Sequence, residues 1–390
     1  MVNRFKLLRT PKIIFGEGQA HSLPGIFKSP DRHLLIITGS GSHRENVEIS
    51  NVLSALVESG YNLSFESIAN EPSPADIDEI TARHRESSPE IVVAIGGGSA
   101  IDAGKAVSAM LTVEGSVKDY LEGVGTKMHS GKKKFFVAVP TTSGTGSEAT
   151  SNAVISETGI NGFKRSLRHE KFVPDVALVD PLLTVSCPGN ITASSGMDAF
   201  TQLVESYLSV KSGPITDALA LDGIAKIKFG LARAVNNGKD IEARSAMAYA
   251  ALLSGITLAN AGLGLVHGFA SSIGGFFDIP HGVVCGTMMS VVNRYNIEKL
   301  LLQHEISSTH SKYAMLGKIF SGRNDLDLKG YMKFTADYLD NLTEKLGLKR
   351  IGEYGIDEND LEHIASVTDH KSNPVIFEKS ELVEMLSKRL

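Results

Sequence analysis

The sequence predicts two domains, an α/β N-terminal domain over residues 1–186 and an all-α C-terminal domain over residues 187–390. A chain of 390 residues is long for a single hydrophobic core, so two cores are expected. Short apolar runs alternate with helical patterns as far as Asp180-Pro181, and beyond that point the periodicity is helical. The turn residues Pro188-Gly189-Asn190 follow this change, which places the boundary near 184–190.

Five apolar runs are the predicted strands of the first domain. Several are nearly continuous stretches of Val, Ile, Leu and Phe, which is typical of parallel strands covered on both faces. The segments 47–59 and 74–87 have helical patterns, and strands that alternate with helices indicate an open α/β sheet. The predicted strands are residues 12–15, 33–38, 91–95, 135–140 and 176–180.

The second domain is predicted from helical periodicity that continues with few β-branched runs. Its first long helix is expected to open at Ser195, and no strand is expected among the segments that follow. The predicted helices are residues 195–210, 215–234, 241–259, 263–276, 329–346, 357–366 and 379–388.

The composition, 42% hydrophobic and 21% charged, is that of a soluble globular protein. The net charge of −5 includes no long block of like charge, so no nucleic-acid or lipid partner is expected. Two cysteines, Cys187 and Cys285, are too few for a disulfide framework. No apolar run approaches the ~18 residues of a membrane span, and the first residues lack the pattern of a signal peptide, so the expected location is the cytoplasm.

A glycine-rich turn follows the predicted strand 91–95. Residues Gly96-Gly97-Gly98-Ser99 lead into a segment that is predicted to be an amphipathic helix. Glycines let the backbone approach a ligand closely, and a helix N-terminus offers free N–H groups to an anion. The turn could also exist without a ligand. It does not match a P-loop, because Gly104-Lys105 is followed by Ala106.

A second polar loop strengthens the case for a phosphate-bearing cofactor. The predicted strand 135–140 ends in residues 141–148, TTSGTGSE, with five hydroxyl groups and two glycines. Ligands bind at the carboxyl ends of strands in open α/β sheets, so two such loops indicate one shared cofactor. Strand 33–38 ends in Gly39-Ser40, without the acidic residue that binds the 2′-OH of NAD, which leaves room for the 2′-phosphate of NADP.

Four side chains of the second domain form a candidate site for a divalent metal. Asp198 and Gln202 are four residues apart, so both lie on one face of a helix. His267 and His281 occur in the segments GLGLVHGFASS and DIPHG. Two imidazoles, a carboxylate and an amide oxygen suit zinc or ferrous iron. Spacing alone leaves open the alternative that the histidines are hydrogen-bonded core residues.

Five segments resemble, in the same order, those of the iron-containing (group III) alcohol dehydrogenases. They are GGGSAIDAGKA, VPTTSGTGSEATSNAVIS, FVPDVALVDP, SGMDAFTQLVES and GLVHGFASSIGGFFDIPHG. The resemblance covers essentially the whole chain. It implies a dinucleotide-binding N-terminal domain, an all-helical C-terminal domain as in dehydroquinate synthase, and a cleft between them for metal, substrate and nicotinamide. It also implies a homodimer.

The resemblance implies roles for individual residues as well. Asp198, His267 and His281 match three metal ligands of the family, and Gln202 stands at the position of the fourth. Lys164 matches a lysine near the cofactor. No side chain is assigned as a general acid or base. The residues expected at the cofactor are Gly39, Ser40, Gly97, Gly98, Ser99, Asp102, Thr141, Thr142, Thr145, Asn152 and Lys164.

Three positions depart from the family pattern. The usual histidine four residues after Asp198 is Gln202, whose amide oxygen is a weaker donor, so the metal could be Fe²⁺ or Zn²⁺. The second histidine of the usual His-x-x-x-His is Ser271, which leaves the proton path open. The acidic residue after the second strand is Gly39, which leaves NAD and NADP as alternatives.

The expected function is metal-dependent hydride transfer between a primary alcohol and NAD(P). Two alternatives stay open: a lyase resembling dehydroquinate synthase, which also uses NAD and metal, and a nucleotide-binding protein with a decayed site. The basic segment 162–169 is either a solvated hairpin or a source of cations that face the cleft. Cations in the cleft would favour a sugar acid, as in enzymes of the 3-deoxy-manno-octulosonate 8-oxidase type, over a small alcohol or diol.

Overall fold

The first half of the chain folds around a parallel sheet of six strands. The computed structural model describes residues 5–27, 32–40, 46–159 and 162–390. The strands are β1 (Lys12–Phe15), β2 (His33–Gly39), β3 (Asn62–Ile68), β4 (Ile91–Gly96), β5 (Phe135–Pro140) and β8 (Val176–Val179). They pair in the order β1-β8-β5-β4-β2-β3, and every pairing is parallel. The predicted α/β class is therefore confirmed.

Two further strands form a separate antiparallel hairpin, β6 (Asn152–Glu157) and β7 (Phe163–Arg168). The basic segment supplies β7, as expected for a hairpin, but its partner β6 and the edge strand β3 were not predicted. The side chains of β3 are mostly half-buried or exposed, because this strand has a neighbour on one side only. Its sequence, NLSFESI, therefore lacks the continuous apolar run that marks the central strands.

Among the described residues of this half, the α-helices are α1 (Leu23–Ile26), α2 (Val47–Glu58), α3 (Pro74–Arg85) and α4 (Gly98–Met110). A capping box between Ser73 and Asp76, with proline as the first helical residue, explains where α3 begins. The prediction that α4 is amphipathic was wrong, because α4 is buried on all sides between the sheet and the hairpin. A Cβ atom at Gly104 would lie 2.7 Å from the Cβ of Ala94.

The second half is helical, as predicted. Helix α5 begins at Gly189, six residues before the predicted start, and the helices α9 and α10 were not predicted. Helix α9 is buried on nearly all sides, so its sequence lacks the polar face that would show a helical period. The helices are α5 (Gly189–Leu208), α6 (Pro214–Asn236), α7 (Ile241–Ala261), α8 (Leu265–Phe276), α9 (His281–Leu301), α10 (Ser308–Ser321), α11 (Leu328–Lys345), α12 (Glu358–Val367) and α13 (Lys379–Ser387).

Three buried apolar clusters hold the chain together. Successive side chains of β4 point to opposite faces of the sheet and belong to different clusters. Val92 lies in the cluster that contains α4, and Val93 lies in the cluster that contains α2. The third cluster fills the helical half around Phe200 and Met247. The helical cluster also contains Ala177 and Val179 of β8, so buried contacts cross our proposed domain boundary after residue 186.

In the described ranges, no single helix has both the length and the apolar composition needed to cross a membrane. The pair α7 and α8 meets the criterion only when the two helices are joined, and the chain bends by 97° between them.

Candidate active site

A cavity of about 540 Å³ lies where the carboxyl edge of the sheet, the β6–β7 hairpin and the helices meet. It is lined from the sheet side by the start of α4, from the hairpin by β7, and from the helical half by α5, α8 and α9. The predicted site residues in its wall are Gly98, Ser99, Asp102, Thr145, Asn152, Lys164, Asp198, Gln202, His267 and His281.

The remaining predicted cofactor residues lie beside the glycine turn, outside the cavity wall. A Cβ atom at Gly96 would lie 3.1 Å from the backbone nitrogen of Gly39, and Ser40 follows directly. A Cβ atom at Gly97 would lie 3.4 Å from Oγ1 of Thr142. Thr141 donates its N–H to the carbonyl of Gly96 at 2.9 Å. The ends of β2, β4 and β5 thus form one continuous edge next to the cavity.

Position 98 has no room for a side chain. A Cβ atom there would lie 2.6 Å from Cγ2 of Thr145, so any larger residue would displace the second polar loop. The close approach leaves the N-terminus of α4 facing the cavity, where Gly98 and Ser99 line the wall. Free N–H groups and the positive end of a helix dipole at this point favour an anion such as a phosphate.

A buried lysine beneath the wall, Lys105, was missed by sequence reasoning. Its Nζ donates to the carbonyls of Ser147 and Asn152 at 2.8 and 2.7 Å and to Oγ1 of Thr150 at 3.0 Å. Asp102 lies 3.7 Å from the same ammonium, accepts the hydroxyl of Ser147, and so ties α4 to the loop. Lys105 therefore holds the polar loop and the start of β6 against the glycine turn.

Burial perturbs the pKa values of three groups around this network. It lowers the pKa of Lys105 to about 8, although the neighbouring Asp102 opposes the shift. It raises the pKa of Glu148 to about 7 and also raises the pKa of Asp102. All three groups are buried behind the glycine turn and the polar loop, away from solvent.

The candidate metal centre gathers four side chains at the helical side of the cavity. One ligand atom each of Asp198, His267, His281 and Cys285 lies within 4.8 Å of the other three. Nε2 of His267 is 3.4 Å from Oδ1 of Asp198, and Nε2 of His281 is 3.7 Å from the same oxygen. This buried oxygen has no hydrogen-bond partner among the described residues.

The charges around this centre favour a cation. Burial acts to raise the pKa of the Asp198 carboxyl, but the two imidazoles hold it below its usual value. Burial acts to lower the pKa of His267, but interactions with the neighbouring Cys285, Glu205 and Asp198 raise it well above the usual value. Burial and the Lys164 ammonium lower the pKa of His281 to about 4. A divalent metal would satisfy the unpartnered carboxylate oxygen.

Glu205 fixes the orientation of His267. Its carboxylate accepts Nδ1–H of the imidazole at 2.6 Å and the backbone N–H groups of Gly264 and Val266 at 2.9 and 2.7 Å. Because Glu205 holds the proton on Nδ1, Nε2 is the nitrogen that faces Asp198 and would bind a metal after losing its own proton, which is the arrangement of a carboxylate behind a metal-binding histidine. Glu205 is seven residues after Asp198 on α5, and this spacing could have identified it.

Replacing Glu205 by glutamine should weaken metal binding by roughly 10–100-fold, because the imidazole loses the negative charge that increases its basicity. The dissociation constant for zinc, measured by competition with a chromogenic chelator, checks this expectation. Glu344, which pairs with Arg389 at the surface, provides the control Glu344→Gln. Equal zinc affinities in the Glu205 variant and the wild type would contradict the positioning role.

Gln202 also lies in the cavity wall, four residues after Asp198. Its amide oxygen accepts the hydroxyl of Ser254 at 2.7 Å, so one of its lone pairs is already in use. Gln202 is therefore held in place by α7. It remains within reach of the cavity, but its metal-binding role stays a prediction.

A lysine from the C-terminal segment occupies the space beside Ser271. Nζ of Lys371 donates to Oγ of Ser271 at 3.1 Å, and both residues line the cavity. The backbone of Lys371 is left-handed, with φ at 51°, a conformation that non-glycine residues adopt rarely. No sequence signal pointed to Lys371, because it lies 100 residues from its partner.

Cationic side chains of the hairpin meet acidic side chains from other segments in the same cavity. Lys164 forms an ion pair with Glu71, and Arg168 pairs with Glu122 at 2.8 Å. Arg165 and Lys371 also line the cavity, and neither has a carboxylate at ion-pair distance within the part of the chain that is described. The cavity thus contains two cations that are not neutralised by an acidic side chain.

Both halves of the chain match models of known protein families. Residues 10–181 match the model for iron-containing alcohol dehydrogenase, and residues 192–390 match the C-terminal model of the Fe-containing alcohol dehydrogenase family. Among similar proteins, alcohol dehydrogenase 4 of Saccharomyces cerevisiae (strain YJM789) is 32% identical over 384 residues, which are 97% of this chain and 96% of that protein. The 1,3-propanediol dehydrogenase of Citrobacter freundii is 30% identical over 359 residues, 90% of this chain and 89% of that protein.

Solved structures show the same architecture. The crystal structure of a 1,3-propanediol oxidoreductase superposes with a TM-score of 0.87 at 29% identity, over 100% of both chains. An archaeal halo-thermophilic alcohol dehydrogenase from a Red Sea brine pool superposes with a TM-score of 0.90 at 26% identity, over 100% of this chain and 99% of that one.

Proposed function

Since this chain belongs to the family of iron-containing alcohol dehydrogenases, we propose that its cavity is the site where an alcohol meets metal and nicotinamide. The chain is a metal-dependent oxidoreductase that transfers a hydride between an alcohol and NAD(P). The observation that carries the assignment of the site is the unpartnered Oδ1 of Asp198, which faces two imidazoles at the cavity wall.

We propose that Asp198, His267 and His281 hold the metal, with Gln202 facing it from the cavity. The donor set of a carboxylate and two imidazoles fits Zn²⁺ or Fe²⁺. A metal held by these residues would supply Lewis-acid chemistry at a substrate hydroxyl, and a bound nicotinamide would supply the hydride acceptor. Glu205 keeps His267 in the tautomer that this site requires.

The cofactor is proposed to lie across the carboxyl edge of the sheet. The N-terminus of α4 at Gly98 and Ser99 would bind the phosphates, and the hydroxyl groups of the loop after β5 would add donors. Thr145, Asn152 and Lys164 line the path from this loop to the metal centre. Gly39 and Ser40, at the end of β2, are proposed to lie near the adenosine ribose.

The cations in the cavity support an alcohol with an acidic group, such as a sugar acid, as the preferred substrate. Arg165 and Lys371 could each bind a carboxylate, whereas Lys164 and Arg168 are already paired. Lys371 lies beside position 271, because its ammonium contacts the hydroxyl of Ser271. Ser271 is proposed to lie on the route by which a proton leaves the substrate, and Lys371 is proposed to bind the substrate carboxylate.

Replacing Lys371 by methionine should lower kcat/KM for 3-hydroxypropanoate by about tenfold and leave 1,3-propanediol nearly unchanged. Methionine keeps much of the length of the side chain and removes the charge. The two substrates have the same carbon chain and differ in a carboxylate at one end, so each serves as the control for the other. Equal losses for both would contradict charge recognition and assign Lys371 to proton transfer instead.

The proposed function is tested by following NADH and NADPH formation with purified, metal-loaded protein. The substrates are 1-propanol, 1,3-propanediol, 3-hydroxypropanoate and a sugar acid with a terminal CH2OH group. A carbonyl product formed in equal amount to reduced cofactor is expected. Substrate conversion without net cofactor reduction would indicate the lyase alternative, and cofactor binding without conversion would indicate a decayed site.

A homodimer is proposed as the assembly. The edge strand β1 and the segment before it expose the apolar side chains of Phe5, Leu7, Ile13 and Phe15, at 36–51% of their full area. An open edge with apolar side chains is a surface that a second copy could cover. The cytoplasmic location stays a prediction. Light scattering of the purified protein would measure the mass of the assembly.

A further inference from the structure

We propose that the thiolate of Cys285 is a ligand of the metal and takes the place of the histidine that Gln202 replaces. Cys285 follows His281 by four residues at the start of α9, so the two side chains project from one face of the helix. The side chain of Cys285 is fully buried and lies outside the cavity wall. It therefore approaches the centre from behind the other ligands, and a substrate oxygen would have to add as a fifth ligand from the cavity side. This inference rests on the proposed metal site.

Four of the six distances between the ligand atoms match those around a single metal, and the other two are within 4.8 Å. Sγ of Cys285 is 3.6 Å from Nε2 of His267 and 3.6 Å from Nε2 of His281. A tetrahedral zinc ion with usual bond lengths places a sulfur and a nitrogen ligand about 3.6 Å apart. The same ion places nitrogen and carboxylate oxygen about 3.3 Å apart. The observed distances from Oδ1 of Asp198 to the two imidazoles are 3.4 and 3.7 Å.

The contacts of Gln202 also support Cys285 as the fourth ligand. Its amide oxygen already accepts the hydroxyl of Ser254, and a neutral amide is a weaker donor than a thiolate. A thiolate with two imidazoles and a carboxylate forms a set that selects zinc over ferrous iron. Binding would release the thiol proton to solvent, because a coordinating thiol is deprotonated even when burial raises its pKa.

Cobalt(II) substitution tests the proposal without reference to turnover. The metal-depleted wild-type protein is titrated with cobalt, and the expected result is one bound ion with a thiolate-to-cobalt charge-transfer band in the near ultraviolet. The Cys285→Ser variant should lose the band, and its zinc dissociation constant should rise about 10–100-fold, at least as much as for loss of an outer-shell partner. Cys187→Ser, which changes the other cysteine of the chain, should keep the band.

The wild-type spectrum makes the test independent of whether the Cys285 variant folds. One bound cobalt without the band would overturn the role of Cys285 and leave the proposed function intact. Failure of the wild type to bind cobalt or zinc would overturn the proposed metal site together with this inference. Gln202→Ala provides the complementary arm: loss of metal in this variant, with metal retained in Cys285→Ser, would assign the fourth position to Gln202.

Discussion

Replacing His267 by alanine should remove most of the metal and nearly all of the dehydrogenase activity. His267 contributes Nε2 at 3.4 Å from Asp198, and its other nitrogen is held by Glu205. Outer-shell partners alone contribute roughly 10–100-fold to metal affinity, so loss of a ligand should exceed about 100-fold. Metal content by mass spectrometry after dialysis and the rate of NAD(P)H formation measure the two effects.

The exposed His304 supplies the matched control, because His304→Ala removes the same side chain at the surface. Near-ultraviolet circular dichroism would establish that the His267 variant keeps its packing. Full metal occupancy in a folded His267→Ala protein would show that the four gathered side chains are not the metal site.

Introducing a carboxylate by Gly39→Asp should shift the preference between the two cofactors toward NAD by roughly two orders of magnitude. Gly39 ends β2, next to the glycine turn at Gly96, where we propose that the adenosine ribose lies. An aspartate there can accept a hydrogen bond from the 2′-OH of NAD, and its negative charge would repel the 2′-phosphate of NADP. The dissociation constants of both cofactors, for wild type and variant at one ionic strength, give the change in the ratio.

A matched change of charge is available at Gly25, which is exposed and has open space around its Cβ position. Gly25→Asp alters the net charge equally and should leave the cofactor ratio unchanged. An unchanged ratio in Gly39→Asp would mean that the loop after β2 does not contact the ribose, and the proposed placement of the dinucleotide would be wrong.

The predictable parts of the fold are those in which one physical requirement determines the sequence pattern. Every residue of β4 is buried, so the strand reads as a continuous apolar run and was identified. In contrast, β3 lies at the edge of the sheet and α9 is buried on nearly all sides. An edge strand needs few apolar residues, and a buried helix shows no polar face, so periodicity identifies neither.

The candidate site also has a part that the sequence predicted and a part that only the structure reveals. Asp198, His267 and His281 were named from their segments, and the fold brings all three together. Cys285 was considered only as a possible disulfide partner, because its spacing from His281 gains meaning only on a helix that was not predicted. Lys371 reaches the cavity through a left-handed turn near the end of the chain, and only tertiary structure could reveal that contact.

The strand order has a consequence for how the protein forms during synthesis. The strand made first, β1, pairs with β8, the last strand of the sheet, in a register that joins Phe15 to Val179. At the usual rates of translation, β8 leaves the ribosome roughly ten to thirty seconds after β1. The strands β2, β3 and β4 follow one another in the chain and lie side by side in the sheet in the order β4-β2-β3, so they can pair during that interval. The exposed apolar residues of β1 meanwhile lack their partner, so this segment is where a nascent chain would first need a chaperone.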